Sequence, residues 1–129
     1  MVPVSSDNHG FTLVEFLVAV VILMVGLLGL LQAVNVGLVQ NVNSQLRNEG
    51  VSVADWHLAR EMSKSFDLVS TTTKTSVEQR PLLNGFKLYS VTRTGTPLSN
   101  SKQVNIRVSW RNKGARYSQE ATSVISKHQ

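Results

Sequence analysis

One carboxylate, that of Glu15, lies inside a long run of residues that carries no other charge. The apolar run starts at Phe11 and continues to Gln32, and no further charged side chain appears before Leu46. A charge near the centre of an apolar membrane segment costs about 2.5–3.5 kcal/mol on insertion scales. Charged residues at such positions usually have a partner that compensates the charge. This segment therefore constrains the chain more than any other feature.

Residues 11–31 have the length and the composition of a membrane-spanning helix. Their 21 positions extend about 31 Å at the rise of an α-helix, close to the roughly 30 Å hydrocarbon core of a bilayer. Apolar side chains occur on all sides, as a helix facing lipid or a helix bundle requires. A purely structural membrane span also explains this composition.

The first residues of the segment favour a more specific interpretation. Gly10-Phe11-Thr12-Leu13-Val14-Glu15 resembles the N-terminal signature of type IV pilins and type II secretion pseudopilins. In that family a prepilin peptidase removes a short leader after the glycine, and the new N-terminal residue is N-methylated. The resemblance implies a leader over residues 1–10, a cut between Gly10 and Phe11, and methylation of Phe11. An ordinary secretory peptide is instead cut after its apolar stretch.

A second similarity lies further along the run. Residues 20–30 are similar to PilV-type minor pilins, in which an Ile/Leu run leads into Gly-Leu-Leu-Gly-Leu. A weaker similarity covers Val53-Ala54-Asp55 and Ala59-Arg60-Glu61-Met62. Gly26 and Gly29 each cost about 1 kcal/mol relative to alanine in a helix, which makes them candidates for helix flexibility in a filament. Glycine is also simply common in membrane helices.

Glu15 has a physical role that does not depend on the family. Cleavage would place a positive amine on Phe11 at a helix N-terminus, where the helix dipole disfavours it. Glu15 lies four positions on, on the same helix face, and can neutralise that amine within one chain. The resemblance implies that it meets the amine of a neighbouring subunit during assembly. The simpler alternative is a carboxylate that reaches the headgroups at the membrane edge.

The remainder of the chain predicts an α+β fold, with the long N-terminal helix packed on a small antiparallel C-terminal sheet. Residues 32–66 continue the helix as an amphipathic half, and residues 67–129 form a β-rich periplasmic region. The stripe expected to face the sheet contains Val39, Val42, Leu46, Val53, Leu58, Met62 and Phe66. Within the β-rich region we predict a loop over 67–85 with a short strand at 67–71, strands at 86–93, 104–111 and 117–125, a turn over 95–101 and a hairpin turn at 112–114.

No catalytic or cofactor-binding pattern is present in the sequence. The chain has no cysteine, and His9, His57 and His128 lack metal-ligand spacing. We therefore expect no enzyme activity, no metal and no cofactor. The formal charge is +5, with a candidate basic surface at Arg107, Arg111 and Lys113 that could meet anionic lipid, DNA or an acidic neighbouring subunit. A solvated strand face is the simpler interpretation.

The sequence thus predicts a PilV-type minor pilin that joins, primes or tips a type IV pilus. The resemblance implies as partners a prepilin peptidase/methyltransferase, other minor and major pilins, the pilus assembly platform and the inner membrane. It places the C-terminal region in the periplasm before assembly and in a pilus or pseudopilus afterwards. The nearest alternative is a type II secretion minor pseudopilin. An alternative of another class is a single-pass membrane-anchored domain that binds a ligand or DNA.

Overall fold

A computed structural model describes residues 2–3, 10–82 and 85–127 of the chain. It contains one long helix followed by four strands, which confirms the predicted α+β class. The chain forms two compact units, Met1–Gln40 and Asn41–Gln129, and each is described by itself. Most of the predicted leader lies outside the described residues, as do Asn84 and His128. The elements are α1 (Leu13–Met62), a 3₁₀ turn (Phe66–Leu68), β1 (Lys74–Leu82), β2 (Gly85–Pro97), β3 (Ser101–Asn112) and β4 (Ala115–Ser126).

The first unit consists of the N-terminal part of α1 and the residues before it. The large apolar side chains from Phe11 to Leu38 that face outward include Leu13, Phe16, Ile22 and Leu28, all more than half exposed. Helix α1 is long and apolar enough to cross a membrane, and no residue of its most apolar stretch is buried in the chain. These side chains therefore depend on lipid or on other protein chains for cover.

The four strands of the second unit form an antiparallel meander in the order β1-β2-β3-β4. The predicted hairpin turn is confirmed: Asn112 pairs with Ala115, and Lys113 and Gly114 connect them. Both connecting residues have positive φ, 49° and 81°, as the two-residue turn that matches the strand twist requires. Even-numbered residues of β3 from Val104 to Trp110 are buried, which confirms the predicted alternation.

The core of the second unit joins one face of the sheet to α1. Leu46, Val53 and Ala54 of the helix are buried together with apolar strand residues, and the Tyr89 hydroxyl donates to the Leu46 carbonyl at 2.9 Å. Gly50 brings the helix close to the sheet, because a Cβ there would lie 2.7 Å from the Trp110 ring. In the predicted stripe, Leu46 and Val53 are buried, Val39, Leu58 and Phe66 are half-buried, and Val42 and Met62 are exposed.

The predicted end of the helix and the strand after it were wrong. Helix α1 ends at Met62, not at residue 66, because Lys64 N–H donates three residues back to Glu61 and tightens the last turn. The short strand expected at 67–71 is replaced by the 3₁₀ turn Phe66–Leu68, where Leu68 N–H donates to Ser65. The Ser-rich segment thus makes local turns rather than sheet pairs.

The predicted bounds of the first two strands were also wrong. The segment 67–85, expected to be a loop, contains the nine-residue strand β1. Pro81 is tolerated there because β1 is an edge strand with one unpaired side. Strand β2 extends through Pro97, so the turn expected over 95–101 is confined to Leu98–Asn100, and β4 starts at Ala115 rather than at residue 117. Pairing across the sheet, which local periodicity does not reveal, sets these bounds.

Candidate processing and assembly site

Helix α1 begins with a reciprocal cap that joins Thr12 and Glu15. The Thr12 amide donates to Glu15 Oε2 at 2.9 Å, and the Glu15 amide donates to Thr12 Oγ1 at 3.2 Å. This is a capping box, in which each of two residues accepts, with its side-chain oxygen, the otherwise unpaired backbone N–H of the other. Our sequence analysis missed it, although a Thr-x-x-Glu pattern directly before an apolar run is its signature.

The cap gives Glu15 a structural role that is separate from its predicted neutralisation of a new N-terminus. A carboxylate at this position also complements the positive end of the helix dipole. Because Glu15 Oε2 lies beside the amide of Thr12, the carboxylate is already next to the residue that follows Phe11. An amine generated on Phe11 would therefore appear close to a fixed negative charge.

The Gly10–Phe11 bond lies just outside this cap. Neither residue belongs to a helix or a strand, and both are exposed, with Phe11 91% accessible. A Cβ built on Gly10 would meet no heavy atom within 4 Å. The bond is thus open to a protease, and the first residue of the helix is only two positions downstream of Phe11.

Gly26 and Gly29 lie in the uninterrupted part of α1. A Cβ at either position would meet nothing within 4 Å, so no close contact inside the chain requires glycine there. Their proposed contribution to helix flexibility stays a prediction.

Pairing between β3 and β4 gives one residue of the predicted basic surface an acidic partner and leaves the other two exposed. Arg107 Nε forms an ion pair with Glu120 on β4, and the hydrogen bond from Arg107, with a second from Asn105, lowers the pKa of the Glu120 carboxyl. Arg111 and Lys113 are exposed, and Arg111 lies directly opposite Arg116 in the register. The exposed positive charge is therefore centred on the β3–β4 hairpin, and Arg116 was missing from our predicted set.

A second charged cluster joins the end of α1 to the sheet. Arg93 Nε lies 2.8 Å from Glu61 Oε2, a contact between charges without hydrogen-bond alignment. Burial raises the pKa of the Glu61 carboxyl, but the hydrogen bond from Lys64 and the positive charges of Arg93 and Lys64 outweigh it, so the pKa is lowered. Arg93 also donates to the carbonyls of Ser70 and Thr72. No sequence pattern marked this pair, because its partners are 32 positions apart.

Of the three histidines, the structure describes His57, which contacts the sheet. His57 Nε2 lies 2.7 Å from Glu78 Oε1 on β1, in a cavity of about 560 Å³ whose lining includes Glu61 and Arg93. Among the residues that the structure describes, no group of three His, Cys, Asp or Glu side chains could hold a metal ion. Trp110 is 6% exposed in the core, whereas Trp56 is 49% exposed and stacks against the Arg60 guanidinium at 5.5 Å.

Comparison with known families identifies the N-terminal segment. Residues 5–31 match the family model described as the prokaryotic N-terminal methylation motif. This motif is the type IV pilin-type prepilin signal, and it supports a type IV pilin or pseudopilin. The match covers about a fifth of the chain. No curated protein and no solved structure matches the sequence.

Proposed function

We propose that this chain is a PilV-type minor pilin, a non-catalytic subunit that joins, primes or tips a type IV pilus. One observation carries the proposal: the match to the prepilin-type motif extends into an apolar helix that has no cover in its own chain. A soluble protein rarely exposes so many large apolar side chains in one stretch. Lipid covers such a helix before assembly, and the helices of neighbouring subunits cover it afterwards.

The proposed sequence of events starts in the inner membrane. Residues 1–10 are the leader, and a prepilin peptidase/methyltransferase cuts between Gly10 and Phe11 and methylates the Phe11 amine. Residues 11–31 span the membrane, and the C-terminal unit lies in the periplasm. Together with other minor and major pilins, the subunit then enters a filament through the assembly platform.

The PilV subtype rests on the Gly-Leu-Leu-Gly-Leu run that contains Gly26 and Gly29. Their lack of contacts inside the chain supports a role between chains, where a missing side chain allows close helix packing. A type II secretion minor pseudopilin shares the N-terminal motif and differs in its partners. The minor subunits that co-purify with this chain distinguish the two systems.

Glu15 is proposed as the assembly contact, and the capping box allows its charge to be tested separately from its cap. Glutamine at the third helical position can still accept the hydrogen bond of a capping box, so Glu15→Gln removes the charge and keeps the cap. Thr12→Ala removes the hydroxyl that accepts the Glu15 amide, so it weakens the cap and keeps the carboxylate charge. Loss of a cap costs about 1 kcal/mol, which a long helix tolerates.

We expect Glu15→Gln subunits to be processed normally but to be depleted from sheared filaments. Thr12→Ala subunits should be processed and incorporated at nearly the normal level. Immunoblots of cell and filament fractions measure both processing and incorporation. Normal incorporation of Glu15→Gln, or equal loss of both variants, would refute the charge role and leave Glu15 as a helix cap only.

A further inference from the structure

The turn between β3 and β4 lies at the end of the second unit where the chain enters it. Asn112, the last residue of β3, donates from Nδ2 to Oδ1 of Asn43, near the start of the unit. Lys102 at the other end of β3 donates to the carbonyls of Phe66 and Val69, after the helix has ended. Because the strands form a meander, the last residue of β1 and the first residue of β2 lie at the same end as the β3–β4 turn. We call this the entry end.

The cations on either side of the turn between β3 and β4, and the lysine in that turn, have no acidic partner among the described residues. Arg111, Lys113 and Arg116 are exposed, and none takes part in an ion pair among the residues that the structure describes. Arg111 and Arg116 face each other directly across β3 and β4. Like charges at opposed positions destabilise a sheet, so their placement suggests an external anion rather than a role in folding.

Large apolar side chains lie beside these cations on the sheet face away from the core. Phe86 is 72% exposed, Leu88 61% and Val77 65%. Phe86 and Leu88 share a shallow groove of about 530 Å³ with Arg111 and Arg116. The entry patch is defined here as Phe86, Leu88, Arg111, Lys113 and Arg116.

We propose that the entry patch docks on the anionic lipid headgroups of the bilayer that anchors the same chain. Cations beside exposed aromatic and aliphatic groups are the chemistry of interfacial lipid binding. The proposal rests on the proposed membrane anchorage of α1, but it does not require cleavage or filament assembly.

The length of the connecting chain supports lipid as the occupant. The proposed membrane span ends at Leu31, and twelve residues lead from there to Asn43. Even fully extended, they span at most about 43 Å. The tether thus keeps the entry patch at a high effective concentration beside the headgroups. DNA would use the cations but not Phe86 and Leu88, whereas anionic lipid uses both.

A fluorescent label near the entry patch tests the docking in the full-length chain. Because the sequence lacks cysteine, a single Gln79→Cys substitution accepts an environment-sensitive dye selectively. Gln79 is exposed and pairs in register with Leu88, outside the patch itself. Leu98→Cys is the control, since Leu98 is 48% exposed in the turn at the opposite end. Both proteins are reconstituted in phosphatidylcholine vesicles with and without phosphatidylglycerol.

We expect a blue shift of the Gln79→Cys label that requires phosphatidylglycerol. The shift should disappear in 1 M salt, where the Debye length is about 3 Å, and after combined substitution of Arg111, Lys113 and Arg116 by glutamate. The Leu98→Cys label should respond equally to both vesicle types. Near-ultraviolet circular dichroism checks that the charge-reversed protein is folded. The loss of the blue shift in 1 M salt tests the docking independently of that variant.

Three outcomes would overturn the docking. The first is equal emission in both vesicle types, and the second is a shift that survives both salt and charge reversal. The third is a shift that appears only when polyglutamate is added, which would assign the patch to an acidic protein. Flotation separates this failure from that of the proposed function: a chain that does not float with vesicles refutes the anchorage as well, whereas a floating chain without a shift refutes the docking alone.

Discussion

Replacing Gly50 by alanine tests the close packing of helix on sheet. The new Cβ would lie 2.7, 3.1 and 3.2 Å from three carbons of the Trp110 ring. Ordinary carbon contacts start near 3.5 Å, so the ring edge must withdraw by about 0.8 Å. The ring has little room to do so, because it stacks on Tyr117 at 6.1 Å and tilts against Tyr89 at 5.6 Å between centroids.

Two opposing contributions set the expected change in the free energy of unfolding. Overpacking a core by one methyl group costs about 1–3 kcal/mol, while replacing glycine by alanine in a helix gains about 1 kcal/mol. The net destabilisation is about 1 kcal/mol. For a unit of this size, that corresponds to a fall in Tm of about 4–8 °C.

The assay is thermal unfolding of the full chain in detergent, followed by the near-ultraviolet circular dichroism of the buried Trp110. Gly37→Ala is the matched control, because a Cβ there meets nothing within 4 Å and only the helix-propensity gain applies. Its Tm should stay unchanged or rise. Trp110→Phe in the Gly50→Ala background lacks this signal and is followed by far-ultraviolet circular dichroism. It should recover part of the loss, since the smaller ring leaves room. A Gly50→Ala protein as stable as the control would refute the packing argument.

Two further predictions concern the pH dependence of stability. Burial raises the pKa of Tyr89 to about 12 from its ordinary value of 10.0, so folding favours the neutral hydroxyl and Tm should fall as pH rises from 10 to 12. Tyr89→Phe should weaken this fall, and an unchanged alkaline profile would contradict it. The lowered pKa of Glu61 stabilises the fold above its ordinary value of 4.5, so stability should be lost as pH falls below that value. Glu61→Gln should flatten this acidic limb of the Tm profile, and an identical limb would show that Arg93 and Lys64 do not stabilise the charged form.

The parts of the fold that periodicity determines were predicted well. The apolar run before Gln32, the alternation in β3 and the Lys113-Gly114 turn each depend on neighbouring residues, and the structure has all three. Strand β1 was missed because its Ser, Thr and Pro residues resemble a loop until β2 pairs with them. Glycine is unfavourable inside a helix, but at position 50 its lack of a side chain leaves the space that the Trp110 ring occupies. Helix propensity alone does not reveal this contact.

The residues of the candidate site were likewise predicted where a local motif defines them and missed where strand pairing does. Gly10, Phe11 and Glu15 follow from a short motif, and the Thr12 cap was equally visible in the sequence but was not used. The contacts of Arg107, Arg111 and Arg116 depend on which residues face each other across β3 and β4. That register follows from the turn at Lys113 together with burial of one sheet face, so spacing along the chain alone did not reveal that Glu120 neutralises Arg107.

Mass spectrometry of the mature N-terminus tests the central claim most directly. The chain is expressed in a host with a prepilin peptidase, purified from membranes or filaments, and digested to release its N-terminal peptide. The proposed function predicts a peptide that starts at N-methylated Phe11, with residues 1–10 removed. A peptide that retains Met1, or a cut after residue 31 that discards the apolar helix, would contradict the account.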